Sequence, residues 1–139
     1  MIADAMVDTN VLVYAASRLA QDQDKKRIAN ALLQTEGIGL SAQVLQEFLV
    51  VSTSKVHKPW SLDDALDWIE AFEDLPCIPV DASLVRYGAE LAVRYQLSYW
   101  DGAILAAAHR MNAPVLYTED LNHDQTYGSV RVVYPFRSN

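Results

Sequence analysis

The sequence has a single cysteine, Cys77, among its 139 residues, so no internal disulfide and no thiolate metal cluster can form. Its surroundings, Pro76-Cys77-Ile78-Pro79-Val80, predict a buried strand position. Only three histidines are present, and they are scattered, which leaves little scope for a zinc site. Any bound metal must then be held by oxygen ligands, which points to Mg²⁺ or Mn²⁺. Apolar runs are short. None approaches a membrane span, and the start MIADAMVDTN has no basic segment followed by an apolar one. The expectation is a cytoplasmic protein, neither exported nor anchored. Repeats, low-complexity tracts and linkers are lacking too, so residues 1–139 are expected to form a single domain.

Basic charge is also scarce: 11 Lys and Arg stand against 18 Asp and Glu, a formal net charge of −7. That weighs against a broad basic face of the kind that binds nucleic acid. The imbalance is local, however. Segment 61–75 carries Asp63, Asp64, Asp67, Glu70, Glu73 and Asp74 with no base, while Lys25, Lys26, Arg27, Lys55 and Lys58 lie elsewhere. Bound cations would offset a carboxylate cluster in the same way.

What is present is an alternation of short apolar runs with amphipathic stretches, the pattern of an α/β fold with a parallel sheet. Strands are expected at 3–7, 38–40, 77–80, 114–118 and 130–134. Helices are expected from Val11, over 22–35, over 42–55 with Ser41 as N-cap, and over 61–75 with Ser61 and Asp64 as a capping pair. Another should bury Leu84, Val85, Gly88, Leu91, Ala92 and Tyr95, the 3.6-residue stripe, and a last one runs from Ser98 through Met111. In such sheets ligands bind outside the carboxyl ends of the strands, where the strand order reverses.

Four acids stand out. Asp8 follows the first strand, where it either caps the next helix or points into the cleft while Thr9 and Asn10 do the capping. Glu47 has Val44 and Val51 at i−3 and i+4, so its carboxylate lies beside an apolar stripe, either as a ligand or as an ion pair at the rim of the core. Asp101 sits in the first turn of its helix, with Trp100 and Ile104 expected to enclose it partly; interaction with the helix N-terminus is the simpler alternative. Asp120 lies just past the fourth strand, where Thr118 could orient a carboxylate and Glu119 is expected to face away. Together these acids have no base obviously placed to neutralise them, and divalent cations suit such a set. Two hard cations about 3.5–4 Å apart could activate water for in-line cleavage of a phosphodiester.

Val7-Asp8-Thr9-Asn10-Val11-Leu12-Val13-Tyr14-Ala15, Ser41-Ala42-Gln43-Val44-Leu45-Gln46-Glu47-Phe48, Ser98-Tyr99-Trp100-Asp101-Gly102-Ala103-Ile104 and Tyr117-Thr118-Glu119-Asp120-Leu121-Asn122-His123 occur in this order. They resemble the four motifs of the PIN-domain family, and within it the VapC-type toxins of bacterial toxin–antitoxin pairs. The resemblance covers essentially the whole chain. It implies a three-layer α/β/α sandwich with a five-stranded parallel sheet of order 3-2-1-4-5, and Mg²⁺- or Mn²⁺-dependent cleavage of RNA. It further implies homodimerisation and an antitoxin partner whose C-terminal segment crosses the active-site groove. Carried over, Asp8, Glu47, Asp101 and Asp120 become metal ligands, direct or through water, with Asn10 and Thr118 in support. Asp4 departs from the pattern by charging the first strand, which should start late; Asp124 stands where glycine is common, and Tyr134 where asparagine is frequent.

Trp60, Trp68 and Phe72, with Leu62, Ile69 and Leu75, give the acidic helix an apolar face, read as core or as a groove for an antitoxin helix. His123 reads as a solvated loop residue and Lys25, Lys26 and Arg27 as a solvated helix face. Two competing functions remain at this level. One is a receiver or phosphatase-like domain using Asp81, although the acid and lysine positions such domains need are missing; the other is a catalytically silent scaffold that binds a protein partner.

Overall fold

Val7 and Tyr117 each end a buried strand at the sheet's carboxyl edge, and the rest of the architecture serves to hold those two ends side by side. In the computed structural model, which describes residues 2–137, strand β1 spans Ala5–Val7 and β4 spans Val115–Tyr117. They pair in parallel, Ala5 with Val115 and Val7 with Tyr117. On the other side of β1 lie β2 (Ile38–Ser41) and then β3 (Cys77–Ile78), also parallel. Strand β6 (Val130–Val133) runs parallel to β4 and carries β5 (Thr126–Tyr127) antiparallel at the edge. The order is therefore β3-β2-β1-β4-β6-β5.

The expected five-stranded parallel sheet is thus corrected at one edge. The expected fifth strand is β6, and a two-residue strand folds back onto it. Its turn explains why the pattern missed it: Gly128 adopts φ +63, and Tyr127 pairs with Val130, so the hairpin is closed by two residues and β5 is too short to show alternation.

Helices α1 (Thr9–Ala15), α2 (Gln23–Leu33), α3 (Ala42–Ser54), α4 (Leu62–Phe72), α5 (Ala82–Tyr95) and α6 (Tyr99–Arg110) connect the strands, with a 3₁₀ turn at Ala20–Asp22. They make their main mutual contacts in two groups, α1 to α4 and α5 with α6, which is the helical packing of a PIN-like sandwich. Helix α1 begins two residues earlier than expected because Asp8 itself caps it. Strand β1 starts only after Asp4, as that exposed charge requires.

Helix α6 departs most from a one-sided stripe. Every residue from Gly102 to Ala108 is buried, since small side chains let α5 pack on one side while Ile104 and Leu105 reach the core on the other. Val85 of α5 was expected inside and is exposed, because the face around Leu84, Gly88 and Leu91 is already turned toward α6. Cys77 is half-buried. In α4, Phe72 meets Phe48 edge-on at 5.1 Å and Trp68 stacks on Phe72, the core reading, but Leu62 is exposed. No helix among the described residues is long and apolar enough to cross a membrane.

Ser41 links sheet to site. Its fully buried hydroxyl accepts from the Val44 N–H at 3.3 Å and caps α3, the helix that carries Glu47. Ser41→Ala is expected to cost about 1–2 kcal/mol in urea unfolding, since the buried N–H loses its acceptor. Unchanged stability would show that the cap contributes nothing.

Candidate active site

The strand order reverses between β1 and β4, and the next residues of each chain segment form the cleft floor. Asp8 N–H donates to the Tyr117 carbonyl at 2.9 Å, extending the ladder one residue past the strand. The Asp8 carboxylate does two things at once. Oδ1 accepts from the Thr9 N–H at 2.7 Å, and Oδ2 accepts from the Thr118 hydroxyl at 2.7 Å. The alternative in which Thr9 or Asn10 caps and Asp8 swings free is not adopted. Burial pushes the Asp8 carboxyl up to about 6; its two hydrogen bonds act the other way, and the nearby charges of Asp120 and Glu47 add to the rise.

Glu47, half-buried on α3, is held between neutral donors: the Thr9 hydroxyl to Oε2 at 2.8 Å and the Gln43 amide to Oε1 at 2.8 Å. Asp101 occupies the first turn of α6 behind the Ser98 cap, whose hydroxyl accepts from its N–H at 3.1 Å. Burial raises its carboxyl as well, Ser98 opposes this, and Asp120 and Glu47 again add to it. Asp101 is half-buried, as expected, with Ile104 buried behind it, although Trp100 itself is 61% exposed. Asp120 is exposed; its N–H donates to Thr118 Oγ1 at 3.1 Å, and Asn10 Nδ2 lies 3.5 Å from Oδ2.

Four segments therefore bring four carboxylates into one electrostatic neighbourhood, since Asp120 and Glu47 act on both Asp8 and Asp101. None of the four is in an ion pair among the described residues. Nor do any three acidic, histidine or cysteine side chains among those residues converge tightly enough to form a ready-made ion cage. Asn10 sits among the acids with its Oδ1 buried and without a hydrogen-bond partner among the described residues, an acceptor that favours an incoming donor or cation.

Several neighbours were not anticipated. Glu119 does not face away: it accepts from the Tyr14 hydroxyl at 3.2 Å and pairs with Lys25 at 3.7 Å. Lys25 and Lys26 accordingly leave the solvated face expected for them; Lys26 donates to the Ser17 carbonyl at 2.8 Å. Arg27 stays outside, paired with Asp24. Gln43 stands at i−4 from Glu47, a spacing that identifies such a partner in advance. His123 is not a solvated loop residue: half-buried, it accepts from the Tyr134 N–H at 3.0 Å and ties the loop after β4 to the end of β6. Asp81 caps α5 and is paired with Arg110 at 2.9 Å; the Leu84 N–H foremost, then Arg110 and the Ser83 hydroxyl, hold its carboxyl down at about 2. A carboxylate so engaged is a poor phospho-acceptor.

A buried parallel sheet reversing at β1 and β4, with acids at that edge, is the architecture of PIN domains. The chain belongs to the PIN domain family, whose sequence profile matches residues 5–129. No curated protein matches the chain in sequence. Among solved structures it is similar to a toxin–antitoxin complex from Klebsiella pneumoniae, at 19% identity and TM-score 0.65, covering 91% of this chain and 94% of that one. It is also similar to VapC20 of Mycobacterium tuberculosis, a sarcin–ricin loop cleaving toxin, at 18% identity and TM-score 0.65, covering 84% and 89%. VapBC2 of Rickettsia felis, bound to a DNA fragment of its promoter, gives 24% identity and TM-score 0.61, covering 95% and 97%. The fold is that of the VapC-like toxins.

Proposed function

We propose that this chain is a metal-dependent endoribonuclease, the toxin of a toxin–antitoxin pair, acting through Asp8, Glu47, Asp101 and Asp120. The observation that carries this reading is the gathering of four carboxylates with no basic side chain paired to any of them among the described residues. Structural carboxylates in a cleft are ordinarily neutralised by Lys or Arg; these are held by hydroxyls, amides and backbone N–H groups.

The donor set fits Mg²⁺ or Mn²⁺. It is all oxygen, it includes a carboxyl that burial drives toward neutrality, and it has an unpartnered amide oxygen beside it. Asp8, Glu47, Asp101 and Asp120 would hold the cation, directly or through water, with Asn10 and Thr118 supporting them. When bound, it supplies charge to stabilise the phosphodiester in its transition state and lowers the pKa of water. The chain's own part is orientation. Thr118 fixes the Asp8 carboxylate, Thr9 and Gln43 fix Glu47 from two sides, and Asn10 steadies Asp120. The toxin–antitoxin complexes among the similar structures support a cognate antitoxin partner; its placement across the groove and pairing with a second copy of the chain are what the family resemblance implies.

The test is cleavage of a mixed RNA pool by partner-free protein with Mg²⁺, with Mn²⁺ and with EDTA, beside the Asp101→Asn variant. Chelation and the substitution are each expected to lower the rate by roughly 100-fold or more, because losing only a ligand's supporting group typically costs 10–100-fold. The variant should keep its circular dichroism spectrum. Cleavage that survives both treatments would overturn the reading.

A further inference from the structure

Two clefts meet at Glu47. One, of about 420 Å³, is bordered by three further carboxylates, Asp22, Glu119 and Asp120. The other, of about 440 Å³, has no acid besides Glu47; Gln43, Gln46, Val50, Val51 and Trp100 line it, and Lys55 stands on the rim of both. A polyanion whose phosphate sits at the acid cluster must extend beyond it, and the second cleft repels it least.

Trp100 forms a wall of that cleft. Trp60 donates its indole N–H to the Ala16 carbonyl, and Trp68 is stacked on Phe72, whereas Trp100 is 61% exposed. The Tyr99 ring braces it edge-on at 5.1 Å. Its carbonyl accepts from the Gln43 amide at 3.4 Å, and the same amide holds Glu47. The Trp100 backbone is therefore tied to the acid cluster through a shared donor, and its ring leans on Tyr99. An apolar face held open beside such a cluster matches the flat face of an unstacked base.

Resting on the ribonuclease reading, we infer that Trp100 is a stacking platform for an unpaired base of the RNA, next to the phosphate at the acids. The exposed Gln46 amide lies within the same cleft as a partner for a base edge, and Lys55 faces the sugar–phosphate backbone. An apolar peptide anchor in this place would leave the amide and the ammonium group against apolar atoms. Stacking accepts any base, so the platform contributes affinity and register rather than sequence choice.

The experiment titrates fluorescein-labelled single-stranded hexaribonucleotides of mixed sequence, and an abasic hexamer of the same backbone, in the presence of Mg²⁺. The protein is the Asp101→Asn chain, alone or with Trp100→Ala or Trp100→Phe. Trp100→Ala is expected to weaken binding of the base-bearing hexamers about 5- to 150-fold and to spare the abasic one, with Trp100→Phe restoring most of the loss. Equal affinity in all three proteins would overturn the inference, as would a loss shared by the abasic hexamer. A changed oligomeric state on size-exclusion chromatography with RNA binding intact would assign the ring to a protein contact instead. Cleavage by the unaltered chain separates this from the underlying reading. Metal-dependent cleavage with no Trp100 effect on binding overturns the platform alone, whereas base-dependent binding without any such cleavage overturns the nuclease alone.

Discussion

Asp8→Asn is expected to abolish RNA cleavage while making the metal-free protein more stable at pH 7. Asp8 is buried and its carboxyl titrates at about 6 in the folded chain, against 3.8 for the free group. Between those values the native state binds more protons than the unfolded one, so stability falls as pH rises through pH 4–6 and stays lower above it. The penalty at neutral pH is ~3 kcal/mol, two units at about 1.4 each. Asparagine keeps the shape, can accept from the Thr9 N–H with its oxygen, and cannot ionise. The variant should therefore recover about 1–3 kcal/mol, several degrees in thermal unfolding with EDTA present. Asp101 is shifted in the same direction and Asp81 in the opposite one, so the difference between the two proteins, not either curve alone, isolates Asp8. With Mg²⁺ the order is expected to reverse, because only the unaltered site gains binding free energy on folding. A variant less stable than its parent in EDTA at pH 7 would refute the burial argument; one that still cleaves would refute the assignment of Asp8.

Gly102→Ala is expected to destabilise the fold, against the ordinary ranking of helix formers. Alanine gains about 1 kcal/mol over glycine in a helix interior. Here a Cβ would press on the Gly88 carbonyl oxygen and lie 2.7 Å from the Ala92 nitrogen, both backbone atoms of α5. Backbone cannot rotate aside as a side chain can, so α5 and α6 must separate, and overpacking of this kind costs about 1–3 kcal/mol, sometimes more. With the clash on backbone at the upper end of that range, less the helix gain, the net loss should be about 2 kcal/mol in urea unfolding, and cleavage should fall too, because Asp101 is the preceding residue on α6. A variant as stable as its parent would show that the two helices can part without cost.

Local rules account for much of what the chain discloses by itself. Ser41, Ser61 and Ser98 each cap the helix expected of them, because a hydroxyl before an amphipathic run satisfies free N–H groups wherever the run is placed. Asp4 delays β1, and Asp124, where glycine is common, has φ +66, a conformation that favours glycine. The elements misjudged are those that depend on distant neighbours. β5 exists only because β6 offers it a partner edge, and Val85 and Leu62 lie outside because the adjacent faces of their helices were already occupied. Trp100 is largely exposed although Asp101 beside it is half-buried, and the exposure of a ring at a helix start depends on what packs against it.

The same division runs through the candidate site. From the order of residues alone came an α/β alternation, acids after strands one and four, two more on helices, and the restriction of any metal site to oxygen ligands, since each of these follows from local period or from the side chains present. Tertiary structure alone decided that the Asp8 carboxylate meets the Thr118 hydroxyl, 110 positions away, and is buried enough to resist ionisation. It also decided that Thr9, 38 positions away, holds Glu47 from the side opposite its helical neighbour Gln43, and that Glu119 turns inward to Tyr14 and Lys25. Desolvation and long-range pairing depend on distances between segments that no local pattern encodes, so four acids could be singled out in advance as candidates while their burial and distant partners could not.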